Sequence, residues 1–170
     1  MSKFDKETII RNIKAVYTAE LPAIITAINA EKAAIDGAQA ADYALNPDIP
    51  VILYNPGFIQ LGYVQEFISY DFAPIETVES KSSDFTVSRV LVEMETHLMD
   101  QSCNIDDLAM IKLIRYQNAM RSVATQFAAK LTGNRCKLEI DEITPVDYSL
   151  DRDRLNARGC ALTLAFHVGG

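Results

Sequence analysis

The chain has 170 residues, enough for one domain whose core needs no disulfide or metal staple. Hydrophobic residues make up 49% and charged residues 23%, a balance that excludes a disordered chain. The formal net charge of −7 argues against a general nucleic-acid binder, which needs clustered Lys and Arg to meet phosphate.

The opening MSKFDKETII is mixed in charge and lacks an apolar core, so no signal peptide is expected. No run of about 18 apolar residues predicts a membrane span. Cys103, Cys136 and Cys160 are odd in number and widely spaced, which predicts free thiols in a reducing compartment rather than a disulfide framework. With no CxxC and only His97 and His167 as imidazoles, no metal site and no cofactor are expected.

Residues 5 to about 36 predict a first helix. Ile9, Ile13, Val16, Tyr17, Ile24, Ile28 and Ile35 keep a helical spacing, Asp5 is placed to cap it, and Gly37 to end it. Pro22 falls inside the pattern, so the helix either kinks there or divides. The Ala-rich stretch that follows could continue as helix toward Leu45. Residues 46–66 are the least regular part, broken by Pro47, Pro50, Pro56, Gly57 and Gly62. The segment nevertheless carries Val51-Ile52-Leu53-Tyr54, and Phe58, Tyr63 and Phe67 follow closely. Rings at this density need burial, against the same domain or a neighbour.

From Phe67 the period changes to two. Ile68, Tyr70 and Phe72 alternate with Ser69 and Asp71, predicting a strand that ends near Pro74. After a turn around Ser82, Ser88 to Leu98 alternates again. Val90, Val92, Met94 and Leu98 take one face, and Arg89, Glu93, Glu95 and His97 the other.

Asn104 to Leu131 is the longest helical pattern. Leu108, Ile111, Ile114, Met120, Val123, Phe127 and Leu131 form its expected apolar stripe. Asn104 or Asp106 can cap it, and Thr132-Gly133-Asn134 supplies the stop. Lys112, Arg115, Asn118 and Arg121 are expected on the outward face, where cations could meet the acidic strand surface of a neighbour around Glu93 and Glu95.

Cys136 to Thr144 reads as a third strand, with Ile143 out of phase as a bulge would make it. Arg158 to Val168 reads as the last. Cys160, Leu162, Leu164, Phe166 and Val168 share one face of it, opposite the small residues Gly159, Ala161, Thr163 and Ala165 and His167. The expected fold is a single α+β domain, a two-layer sandwich of a four-stranded antiparallel (mixed at most) sheet. Two long helices cover one face, in the order α-β-β-α-β-β.

Catalytic signatures are sparse. There is no GxSxG and no phosphate-cradling GxxxxGK[ST]. Glu139, Asp141 and Glu142 crowd a strand, where alternation sends Asp141 to the opposite face from adjacent Glu142 and favours a solvated surface over an acid/base pair. His97 and Cys103 could form a thiol–imidazole pair, although no orienting third group accompanies them. Asp151-Arg152-Asp153-Arg154 alternates in sign, which suits either a solvated loop or a charged rim that meets an identical copy.

Together these parts resemble the tail-terminator (tail-completion) proteins of tailed bacteriophages. The helix IIRNIKAVYTAELPAIITAI precedes the aromatic segment, and the strand VSRVLVEMETHL leads to the helix containing IRYQNAMRSVATQF. In that helix Tyr116 and Ala119 stand as in the family's tyrosine-then-small pattern, and KLEIDEITPVDYSLDRD and ARGCALTLAFHV close the domain. The resemblance covers Thr8 to Val168, and the long stretch between Ala38 and Phe67 departs from a minimal version.

It implies a structural virion protein of the tail or neck, made in the host cytoplasm, with no enzymatic activity and no membrane. Such proteins form a ring, commonly a hexamer, at the head-proximal end of the tail tube. The implied partners are further copies, the tail tube protein and the head-side connector, with DNA passing through unbound. Candidate contacts are Tyr54, Phe58, Tyr63, Phe67, Glu93, Glu95, Arg115, Arg121 and Asp151 to Arg154, together with the loops Ser80–Asp84 and Asp147–Asn156. Another head-tail connector or head-completion protein, or a small non-viral binding module, is the alternative reading. An enzyme using His97 or Cys103 is the third.

Overall fold

Asp5 caps the first helix, as its position before a helical run predicts. Its carboxylate accepts hydrogen bonds from the Thr8 N–H at 2.9 Å and the Thr8 hydroxyl at 2.8 Å, in the computed structural model of the chain. The structure describes residues 5–54, 66–72, 77–82, 85–98, 106–141, 145–146 and 158–169. The helix, α1, runs unbroken over Lys6–Asp36 with Pro22 inside it. Pro22 offers no N–H to the Thr18 carbonyl, yet its own carbonyl still accepts from the Thr26 hydroxyl at 2.8 Å. Gly37 ends the helix at φ 57°, a left-handed value that a side chain would resist. A 3₁₀ turn over Gly37–Gln39 and a short helix, α2 (Ala40–Tyr43), follow.

The buried face of α1 is Ile9, Ile13, Val16, Tyr17, Leu21 and Ile25. Ile24 and Ile28 are only partly covered, and Ile35 is 75% exposed. Ile35 was expected in the stripe, but its neighbour Asp36 turns inward to a partner. The ~100° step between successive helical residues then turns Ile35 toward solvent.

The second long helix, α3 (Asp106–Gln126), breaks at Phe127, and a last turn, α4 (Ala128–Thr132), completes it. Gly133 at φ 57° closes that turn with its N–H on the Ala129 carbonyl. Leu108, Ala109, Leu113, Tyr116, Ala119, Met120, Val123 and Ala124 are buried. The expected stripe is therefore rotated: Ile114 is 49% exposed and Ile111 half-buried, while Leu113 and Tyr116 carry the contact. Positions 109, 113, 116, 120 and 123 hold an unbroken 4-3-4-3 spacing. The 108-111-114 run instead ends on polar Gln117 and Asn118.

The two long helices lie antiparallel. Tyr17, buried on α1, donates its hydroxyl to the Met120 carbonyl at 3.0 Å, and the Asn12 amide donates to the Leu131 carbonyl at 2.9 Å.

Among the described residues, seven strands form one mixed sheet rather than the expected four. They are β1 (Val51–Leu53), β2 (Glu66–Phe72), β3 (Thr77–Ser82), β4 (Phe85–Leu98), β5 (Lys137–Asp141), β6 (Pro145–Val146) and β7 (Arg158–Gly169). The path is β1-β2-β4-β7-β5. β1 is parallel to β2, and every other pairing is antiparallel. β4 and β7 pair from Val87↔Gly169 to Leu98↔Arg158 and form the centre. The edge of β4 away from β7 carries two partners in succession, β3 at Phe85–Arg89 and β2 at Val92–Leu98. β6 and β5 share the outer edge of β7 in the same way.

The three additional strands lack an apolar alternation. β1 has only three residues, β3 reads TVESKS, and β6 has two residues and begins with a proline.

Ile68 and Tyr70 of β2, Val90, Val92, Met94 and Leu98 of β4, and Cys160, Leu162, Leu164 and Phe166 of β7 join the apolar residues of both long helices in one core. Leu138, Ile140 and Phe72 pack against its rim. The alternation read for these strands holds, because a one-residue slip would turn each apolar set away from the helices.

Candidate interaction surface

Across the sheet from the helices, cross-strand register assembles a surface of rows. Ser69, Glu95 and Ala161 form one row, and Asp71, Glu93 and Thr163 the next. Asp71 and Glu93 are exposed, and Glu95 is half-buried. Burial raises the Glu95 carboxyl above the usual carboxylate range, and the neighbouring Glu93 charge adds to the shift. At the far side Glu139 receives Lys137 and, at 2.9 Å, His167 Nε2. These partners hold its carboxyl down at about 2.

His97 sits in the row beside this acidic strip, 4% exposed. Its ring stacks on Phe67 at 4.4 Å between centroids and 17° between planes. Burial pushes its pKa down to about 4, so the imidazole is neutral at neutral pH. Its 3.4 Å contact with Glu95 Oε2 is then not an ion pair. Ser69 Oγ lies 2.8 Å from the same nitrogen, Nε2.

An acyl-transfer relay needs the hydroxyl on one ring nitrogen and the orienting carboxylate on the other. Here both address Nε2, and Ser69 is itself buried. The group is a packed polar cluster on the strand pair β2–β4. Cys103, the other half of the expected thiol–imidazole pair, lies outside the described residues. The Cys136 and Cys160 thiols are free, and burial pushes both up to about 11.

The expected cationic face of α3 is largely consumed within the chain. Arg115 is buried, not outward. Its guanidinium meets the Asp36 carboxylate at 2.7 and 2.8 Å, donates to the Tyr43 carbonyl at 3.0 Å, and stacks over the Tyr43 ring. Lys112 pairs with Glu66 at 2.6 Å. Of the four polar residues expected outward, Asn118 and Arg121 remain exposed. Arg115 precedes Tyr116 in the buried run, a spacing that could have indicated an inward guanidinium. Nothing in the sequence singles out Asp36 as its partner.

Tyr116 is fully buried, and its hydroxyl is satisfied twice. It donates to Glu66 Oε2 at 2.6 Å and accepts the Asn46 N–H at 2.9 Å. Asn29 holds the same segment from α1, exchanging two 2.9 Å hydrogen bonds with the backbone of Leu45. The first part of the irregular stretch is thus fastened to both long helices. It leads into β1, which begins and ends on backbone bonds from Ile68 to Pro50 (2.8 Å) and from Tyr54 to Tyr70 (3.0 Å).

Among the other expected contact residues, Tyr54 is 41% exposed at the end of β1, and Phe67 is buried under His97. Phe58, Tyr63, Asp151 to Arg154 and the whole Asp147–Asn156 loop lie outside the described residues. Ser80–Ser82 belongs to β3, and the rest of that loop also lies outside. Among the described residues, no group of three or more His, Cys, Asp or Glu side chains could hold a metal ion, and no helix is long and apolar enough to cross a membrane. Compared with known proteins, the chain matches no family model and no curated sequence.

Proposed function

We propose that this chain is a structural ring subunit of a phage head-tail junction, of the tail-terminator kind. The ring ends polymerisation of the tail tube and presents a surface to the head-side connector. The observation that supports this reading most is the open sheet, whose two faces differ in kind. One face carries α1 and α3, and the two together form a two-layer sandwich. The other carries Asp71, Glu93 and half-buried Glu95 in adjacent rows.

A ring subunit requires broad surfaces more than a cleft. An acidic wall beside a DNA passage repels phosphate and lets the duplex slide. Among the described residues, the exposed candidates for contact with neighbours are Tyr54, Glu93 and Arg121.

Sedimentation velocity and negative-stain electron microscopy of the purified chain, alone and with tail tubes, test the proposal. The expected result is a closed ring of several subunits, free or seated on tube ends. A chain that stays monomeric in both settings defeats it.

A further inference from the structure

Among the described residues the strand path ends on two unlike edges, β1 on one side and β5 on the other. β2 and β7 run one way and β4 and β5 the other, while β1 follows β2. β1 and β5 are therefore opposite in direction. Two copies in the same orientation bring β5 of one beside β1 of the next as an antiparallel pair. Contacts between unlike patches are the kind that close into rings, whereas like-to-like contacts stop at two-fold dimers.

We infer that β1 of one copy adds to β5 of the next and carries the sheet from subunit to subunit. This rests on the ring-subunit reading and names its interface.

The faces of the two edges match. Val51 and Leu53 stand in register with Ile68 and Tyr70, on the side that faces the helices. Leu138 and Ile140 stand opposite Phe166 and Leu164, on that same side. Leu53 is 48% exposed, and Leu138 and Ile140 are only partly buried, so both edges present apolar surface.

Pairing Val51 with Ile140, Ile52 with Glu139 and Leu53 with Leu138 covers that surface and keeps every side chain on its own face. A slip by one residue does not. The same register sets exposed Tyr54 beside Lys137, where an ammonium can sit over the ring. Full-length pairing of β5 with itself would instead set Glu139 against Glu139, a like-charge pair.

Directed disulfide formation tests the pairing. Two chains are co-expressed in a Cys103→Ala, Cys136→Ala background, one with Ile52→Cys and the other with Glu139→Cys. Oxidation is expected to yield a cross-linked dimer from the co-expressed pair and none from either variant alone. A single chain with both substitutions is expected to give a ladder of multimers. Leu53→Lys is expected to abolish assembly while circular dichroism stays unchanged. Cross-linking within either variant alone overturns the inference in favour of like edges. Rings that form normally but give no pair-specific cross-link overturn the edge assignment and leave the ring reading standing. A chain that never assembles defeats both.

Discussion

Arg115 and Asp36 join the middle of α3 to the last residue of α1 through two parallel hydrogen bonds, 2.7 and 2.8 Å long. The planar fork of a guanidinium matches the two carboxylate oxygens, and that geometry separates this contact from the looser ion pairs of the surface. The Arg115 hydrogen bonds hold the Asp36 carboxyl below its usual range.

Removing one partner strands the other. Arg115→Met is expected to lower the urea midpoint more than any substitution of an exposed residue on the same helix, such as Arg121→Ala. Adding Asp36→Asn to Arg115→Met should cost less than the two single changes summed. Because the folded carboxyl is depressed, the stabilisation is present above the unfolded value of about 3.9 and is lost as pH falls below it. Urea titrations of the two single variants and the double variant, at pH 7 and pH 3, check both statements.

Adjacent residues on α3 report the rotation of its buried stripe. Leu113→Ala is expected to destabilise the fold by about 2–5 kcal/mol, the usual cost of a cavity in a packed core. Ile114→Ala is expected to fall within about 0.5 kcal/mol of the parent. Equal effects in urea unfolding would contradict the packing described for this helix.

His97 gives a pH dependence of defined sign. Its pKa is about 4 when folded and about 6.5 when unfolded, so the unfolded chain binds the proton more readily between those values. The stability due to neutral, buried His97 is complete above about pH 6.5 and lost as pH falls to about 4, an effect on the order of 3 kcal/mol. Glu95, with its raised carboxyl, works in the opposite direction. The His97 contribution is therefore the difference between the parent and a His97→Gln variant, followed by urea midpoints from pH 7 to pH 4. Parallel curves for the two proteins would refute it.

Tyr116→Phe removes one hydroxyl that serves two groups. The Asn46 N–H loses its acceptor and Glu66 loses a donor, at an expected cost of about 1–3 kcal/mol. Amide exchange at Asn46 should accelerate while amides in the middle of α1 keep their protection. Unchanged exchange at Asn46 would show that the segment is held by Asn29 alone.

Much of this architecture was legible in the residues because it rests on apolar periodicity. The alternation of β4 and β7 and the caps of α1 each follow from one local rule, and these elements stand where the rules place them. What escaped the sequence depends on partners far along the chain. TVESKS has no apolar alternation, and it becomes a strand because β4 extends far enough to offer it an edge. Arg115 looks like a surface cation until Asp36, far earlier in the chain, is brought beside it. The His97 cluster joins β2 to β4 through register. Sequence proximity offers His97 a thiol partner in Cys103, whereas its hydroxyl partner Ser69 comes from the neighbouring strand.

The position of β7 has a consequence for how the chain is made. It comes after every other described strand, yet it lies inside the sheet between β4 and β5. Until residues 158–169 leave the ribosome, β4 keeps one long edge unpaired, and β5 and β6 have no strand to join. The core beneath α3 stays open over the same interval, since Leu162, Leu164 and Phe166 complete it. The two halves of this sheet are thus joined only once β7 is in place. Before β7 is made the chain carries an exposed sheet edge, and that interval is when it is most open to pairing with the wrong strand.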